Sequence, residues 1–101
     1  MTRTRRKKGP NDDLVEAAES VLPDILEFYK QFRDKRPVML LDLQSERIYA
    51  YPYKQFKADL DEQSQATLTA DFERALAENK VVVFVRDDET ERLVSMLFND
   101  D

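Results

Sequence analysis

The segment Val81–Val85 has an apolar side chain at every position, and this constrains the fold more than any other feature of the sequence. Alternate residues of a β-strand point to opposite faces of a sheet, so both faces of such a strand are apolar. A sheet with one face in water shows alternating apolar and polar residues instead. Leu93–Phe98 also has apolar residues on both faces, and Val38–Leu41 is apolar throughout. The sequence therefore predicts a sheet that must be covered on both faces.

Two segments with helical spacing are available to cover this sheet. In the first, apolar residues recur at intervals of four and three from Leu14 to Phe32, which is typical of an amphipathic helix. Pro23 interrupts it, and because proline removes a helical hydrogen bond we expect a kink, or a short helix 12–21 followed by a main helix 23–34. The second helical pattern runs from about Glu62 to Asn79.

The order of elements predicts an α+β fold. Two αββ halves form a four-stranded, mainly antiparallel sheet with helices packed on it, and the strand order stays open. The hairpins also return through similar phrases, Ser45-Glu46-Arg47-Ile48 and Thr90-Glu91-Arg92-Leu93, which lie 45 residues apart. Internal duplication is one hypothesis for this similarity. The other is chance, because Ser/Thr-Glu-Arg is a common way to leave a turn.

The residue types that are missing exclude most catalytic chemistry. The chain has no histidine and no cysteine, and its one glycine is Gly9. Histidine-dependent triads, thiolate metal sites and glycine-rich phosphate loops are therefore excluded. An EF-hand loop starting at Asp59 fails, because Ser64 and Ala70 stand where glycine and glutamate are needed. No pair stands out among the 21 acidic residues as a catalytic dyad. The sequence predicts a protein that is not an enzyme and has no metal and no cofactor.

Charge is distributed unevenly along the chain. The net charge is −5, and the first eight residues contain five basic ones, so residues 9–101 carry −10. We expect residues 1–10 to be a disordered basic arm and residues 11–101 to be a single α+β domain. No apolar run approaches the roughly 20 residues of a membrane span, and residues 1–10 have no apolar segment that could act as a secretion signal. These features predict a cytoplasmic protein without membrane contact.

Tyr49, Tyr51 and Tyr53 have the spacing that places side chains on one face of a strand. Such a row can stack on the bases of single-stranded nucleic acid. It can also pack under a helix with the hydroxyls at the rim, and this second interpretation is favoured because few basic residues flank the tyrosines.

The leading functional hypothesis is a small non-catalytic interaction or regulatory protein. Its partner would be a second copy in a homodimer, or another protein. The predicted contact residues are Tyr49, Tyr51, Phe84, Val94, Met96 and Phe98. A row of Val82, Phe84, Val94, Met96 and Phe98 is expected to form one sheet face and the dimer interface. The opposing possibility is that residues 12–22 fold over this face within one chain.

The alternative hypothesis is a nucleic-acid-associated protein. It would hold phosphates with the basic arm and bases with the tyrosine row. The arm residues assigned to polyanion binding are Arg3, Arg5, Arg6, Lys7 and Lys8.

Overall fold

The computed structural model describes residues 11–100. Two short helices precede the first hairpin, and a second pair of helices connects it to the second hairpin. The elements are α1 Asp12–Ser20, α2 Leu22–Lys30, a 3-10 turn Arg33–Lys35, β1 Val38–Asp42, β2 Arg47–Tyr51, α3 Tyr53–Ala58, α4 Glu62–Glu78, β3 Lys80–Asp87 and β4 Arg92–Asn99.

The four strands form one open mixed sheet in the order β2-β1-β3-β4. Each hairpin pairs its own strands antiparallel, whereas β1 and β3 lie side by side in parallel. A parallel pair needs a crossover, and β2, α3 and α4 provide it. The predicted α+β class is confirmed. The mainly antiparallel sheet is confirmed for the two hairpins but not for the central pair, which the sequence pattern did not indicate.

Helices cover both faces of the sheet. We call the face under α1 and α2 the first face; its core contains Leu14, Ile25, Met39 and Val83. The second face lies under α3 and α4, and Leu68 and other residues of its core are buried there. The apolar residues on both sides of β1 and β3 are thus covered within one chain. This is the arrangement in which the N-terminal helices fold over the sheet.

The first helical segment breaks beside the proline, as predicted. Val21 lies between α1 and α2, and Pro23 occupies the first turn of α2, where a missing N–H costs no helical hydrogen bond. The second helix ends earlier than expected, at Lys30, and continues into the 3-10 turn. Two separate short helices can follow the twist of the sheet, with α2 packed against β2 and α1 packed against β3 and β4.

The predicted single row of five apolar residues is wrong. Val83 lies opposite Met96, and Val85 lies opposite Val94. Residues directly opposite each other in an antiparallel pair point to the same face, so Val94, Met96 and Phe98 belong to the first face. Val82 and Phe84 belong to the second face, where they are buried. The row was wrong because the hairpin register could not be deduced from apolar residues that occupy both faces.

The two hairpins repeat one turn geometry. Their closing pairs are Asp42–Arg47 and Asp87–Arg92, so each loop has four residues. The last loop residue is left-handed in both, with φ 57° at Glu46 and φ 58° at Glu91. The prediction of two αββ halves is confirmed in part: each half ends in a hairpin with this turn, but two helices rather than one precede each hairpin. In the described part of the chain, no helix is both long and apolar enough to cross a membrane.

Truncation of Phe84 tests the second-face core. Phe84 is 2% exposed, whereas Leu76 is 45% exposed. We expect Phe84→Ala to lower the free energy of unfolding by about 3–5 kcal/mol, because it removes a buried ring and leaves a cavity. The control Leu76→Ala is expected to cost less than about 1 kcal/mol. Urea denaturation followed by circular dichroism measures both, and equal losses would contradict the burial of Phe84.

Candidate functional site

The outer side of β4 carries backbone groups that no described strand pairs with. The orientation of these groups follows from one bond across the central pair: the Leu43 N–H donates to the Arg86 carbonyl at 3.0 Å. The backbone N–H and C=O of Arg86 therefore point toward β1. Because this direction alternates along a strand, the backbone groups of Asp87 and Val85 point toward β4. Through the β3–β4 register, the same alternation directs the backbone groups of four β4 residues away from β3. They are Leu93, Ser95, Leu97 and Asn99, and we call their outward N–H and C=O groups the open edge.

The opposite edge of the sheet, at β2, is short and is followed by a proline. Within β2, the same alternation points the backbone groups of only Ile48 and Ala50 away from β1. The next position in the series is Pro52, which has no N–H to donate, and α3 begins at Tyr53. Proline and a short strand are two of the devices by which natural sheets prevent edge-to-edge pairing.

β4 lacks those devices. It is eight residues long, contains no proline, and its one charged residue, Arg92, stands at its start. No residue of β4 has a positive φ. Seven of its eight residues are partly buried, and Asn99 is exposed. A long edge of this kind is a template for pairing with another chain.

The side chains of β4 form two apolar rows beside the open edge. On the first face, Val94, Met96 and Phe98 are partly buried against the core of α1 and α2. On the second face, Leu93 and Leu97 pack partly buried against the core of α4. An added strand would therefore meet apolar neighbours on both faces.

A polar network fixes the start of β4. The Arg92 guanidinium donates to Asp13 of α1 at 2.9 and 3.0 Å and to Asp87 at 3.0 Å. Hydrogen bonds from Thr90 at 2.6 Å and from Gln44 at 2.7 Å also reach the Asp87 carboxylate. These donors, Thr90 first and Gln44 second, hold the pKa of Asp87 far below its ordinary value.

The network extends across the central pair and joins the two hairpins. Asp42 accepts a hydrogen bond from Arg86 at 2.8 Å, which lowers the pKa of Asp42. The side-chain Oε1 of Gln44 accepts a hydrogen bond from the Asp88 backbone N–H at 2.7 Å. Every carboxylate of this network thus accepts hydrogen bonds from arginine, glutamine or threonine, an arrangement that orients the turns and holds the acids ionised.

The tyrosine row packs into the second-face core. Tyr49 and Tyr51 stack with ring centroids 6.0 Å apart, and Tyr51 stacks on Phe56 of α3 at 5.6 Å. Tyr53 is part of α3; its ring stacks on Phe72 at 4.0 Å, and its hydroxyl lies 3.1 Å from the Thr69 hydroxyl. These contacts favour the interpretation that the tyrosines pack under a helix.

The six predicted contact residues do not form one surface. Tyr49, Tyr51 and Phe84 lie on the second face, and Phe84 is buried. The other three line the first face beside the open edge; they are Val94, Met96 and Phe98. The basic residues Arg3, Arg5, Arg6, Lys7 and Lys8 lie outside the described residues.

Sequence reasoning missed the backbone of the open edge. Finding Leu93, Ser95 and Leu97 required the strand order, which places β4 at the rim of the sheet. One signal was available: Pro52 directly follows β2, so the outer strand of the first hairpin ends at a residue that has no N–H to donate.

The first face also has a groove of about 500 Å³ between the α1–α2 junction and the first hairpin. Leu41, Leu43 and Ile48 line it together with the carboxylates of Asp24 and Glu46. Within residues 11–100, no cluster of acidic side chains is arranged to hold a metal ion. No protein-family model, curated protein or solved structure matches the chain.

The Asp87 network predicts a specific pH dependence of stability. Because folding lowers the pKa of Asp87, its contribution is present above about pH 4, the pKa of an unfolded aspartate, and is lost as the pH falls. We expect Asp87→Asn to be less stable than wild type at pH 7, with a difference that shrinks as the pH falls toward 2. Urea denaturation across this range measures the effect.

The control for this prediction is Glu89→Gln, which changes an exposed carboxylate in the same turn. It should follow the wild-type pH profile. A stability difference for Asp87→Asn that stays constant from pH 7 to low pH would contradict the assigned network.

Proposed function

We propose that this chain is a small non-catalytic interaction protein that binds a second polypeptide strand along the open edge of β4. The observation that carries the proposal is the contrast between the two edges of one sheet. The β2 edge ends at Pro52 and α3, whereas the β4 edge is eight residues long and has no proline. Binding would occur by strand addition, in which main-chain hydrogen bonds supply affinity and side-chain contacts supply selectivity.

The energetics of the edge support strand addition. Each hydrogen bond that replaces water contributes only about 1 kcal/mol, so the backbone of Leu93, Ser95, Leu97 and Asn99 gives a modest total. The partly exposed apolar side chains on both faces add buried area at about 25 cal/mol per Å². The Arg92 network and the hydrogen bond from Ser95 to Asp71 at 2.5 Å hold β4 in place before a partner arrives. A preformed edge reduces the entropy cost of binding.

The non-catalytic part of the proposal rests on residue types. The chain has neither histidine nor cysteine. The two buried acids of the described residues, Asp42 and Asp87, form ion pairs with Arg86 and Arg92. A cytoplasmic location belongs to the same proposal.

A displayed library of random peptides tests binding at the open edge. We expect the wild-type protein to retain peptides with apolar residues at successive positions, because such peptides can pair as a fifth strand and contact the apolar rows on both faces. Asn99→Pro removes an outward N–H at an exposed position and should lower retention about tenfold. The matched control Asn99→Ala keeps the N–H and should bind as wild type does. No retained peptide, or equal retention by both variants, would contradict the proposal.

The nucleic-acid hypothesis has less support, because the tyrosine rings are engaged with Phe56 and Phe72. Nucleic-acid binding would therefore depend on the five basic residues between positions 3 and 8. A gel-shift assay separates the two hypotheses: binding through the arm should weaken steeply with salt and disappear when residues 1–8 are deleted. We expect this deletion to leave peptide retention at the open edge unchanged, and a loss of retention would contradict the assignment to β4.

A further inference from the structure

We infer that the partner at the open edge is a second copy of this chain, whose β4 pairs antiparallel with the first β4 about a two-fold axis at Met96. This inference rests on the proposed function, because it names the occupant of the same edge. Two-fold pairing is isologous, so one strand must complement its own reversed copy. The sequence of β4 can be tested for this property residue by residue.

The two-fold axis at Met96 uses the whole open edge. It places Leu93 opposite Asn99 of the second copy, and Ser95 opposite Leu97 of the second copy. All four outward-facing residues therefore obtain a hydrogen-bonded partner, in the alternation that an antiparallel ladder requires. Met96 faces its own copy in a non-hydrogen-bonded pair, which fits the inward orientation of its backbone toward Val83.

The same register makes the first-face row continuous between the copies. Val94 lies opposite Phe98 of the second copy, Met96 opposite Met96, and Phe98 opposite Val94. Side chains that are partly buried in one chain then cover each other across the interface. Cross-strand pairs of aromatic and β-branched side chains stabilise a sheet.

Charges at the ends of the strand do not conflict in this register. It places Arg92, which binds Asp13 and Asp87 in its own chain, opposite Asp100 of the second copy, which binds Arg33 in its own chain at 2.9 Å. Opposite charges therefore lie near each other at each end of the interface, and each keeps its own partners. The chains themselves carry a net charge of −5 and repel each other. Salt screens this long-range repulsion, so the dimer should tighten as the salt concentration rises.

The two neighbouring registers of the β4–β4 pair place fewer matching residues opposite each other. An axis at Ser95 places Arg92 opposite Phe98 and pairs Asn99 with the loop residue Glu91. An axis at Leu97 places Val94 opposite Asp100. Both alternatives set a charge against an apolar side chain and leave part of the open edge without a strand partner.

Sedimentation equilibrium of the full chain tests the dimer. We expect a mass of twice 11.9 kDa at high concentration, and self-association that is at least about tenfold weaker in Asn99→Pro. Asn99→Ala is the matched control and should associate as wild type does. Circular dichroism verifies that both variants fold. A wild-type mass of 11.9 kDa at every concentration would overturn the inference.

A single engineered cysteine tests the register, because the chain has no cysteine of its own. With the axis at Met96, the Cα atoms of two Met96→Cys copies lie about 4.5 Å apart, within the range of a disulfide. Oxidation should therefore link Met96→Cys into a covalent dimer. Ser95→Cys and Leu97→Cys meet their own copies only diagonally, about 7–8 Å apart, and should remain unlinked. Faster linking at either of these positions would overturn the axis at Met96.

Amide hydrogen exchange separates failure of the dimer from failure of the proposed function. In the dimer, the amides of Leu93, Ser95, Leu97 and Asn99 should become protected with concentration, while those of Val94 and Met96 are protected throughout. A monomer that exposes the four amides and still retains peptides would overturn the second copy and keep the open edge. A monomer whose four amides are already protected would overturn both.

Discussion

The central parallel pair of strands determines the rest of the structure, because neither β1 nor β3 has a polar face. Met39 and Val83 point to one side, and Leu40 and Phe84 to the other, and all four are buried. Burying such side chains contributes roughly 1.5–3 kcal/mol each, so leaving either face in water would forfeit energy comparable to the net stability of a domain. A helical layer on each face follows from this requirement. The break at Val21 and Pro23 lets the N-terminal segment supply one of these layers as two short helices.

Because helices cover both faces of the sheet, the surface left for a partner lies at its edges. The apolar residues of β1 and β3 are covered within one chain by α1, α2, α3 and α4. What stays available lies on the side of β4 that faces away from β3, where outward backbone groups run beside partly buried apolar side chains. Under the proposed strand addition, hydrogen bonds with fixed spacing contribute to affinity there, so the register of the partner strand matters as well as its hydrophobicity.

Much of the fold could be predicted from local patterns. The two hairpins, the helix near Glu62–Asn79 and the break at Pro23 all follow from periodicity and proline geometry. The strand order could not, because the parallel contact between Leu40 and Phe84 joins residues 44 positions apart and has no local signature. The assignment of Val94 and Met96 to a face failed for a related reason: when both faces are apolar, a one-residue shift in register leaves no polar residue out of place. The open edge depends on both unknowns, so side-chain reasoning alone could not identify it.

The difference between the two hairpins has a consequence for assembly. Both have four-residue loops with a left-handed glutamate, at Glu46 and Glu91, and so they present similar strands at opposite rims of the sheet. If both rims accepted a neighbour, copies could add without limit, as in a cross-β fibre. Under the proposed strand addition, Pro52 and α3 leave β4 as the one edge of the described sheet that can accept a neighbour. A chain with one such edge cannot form a fibre, so assembly would end with the first partner.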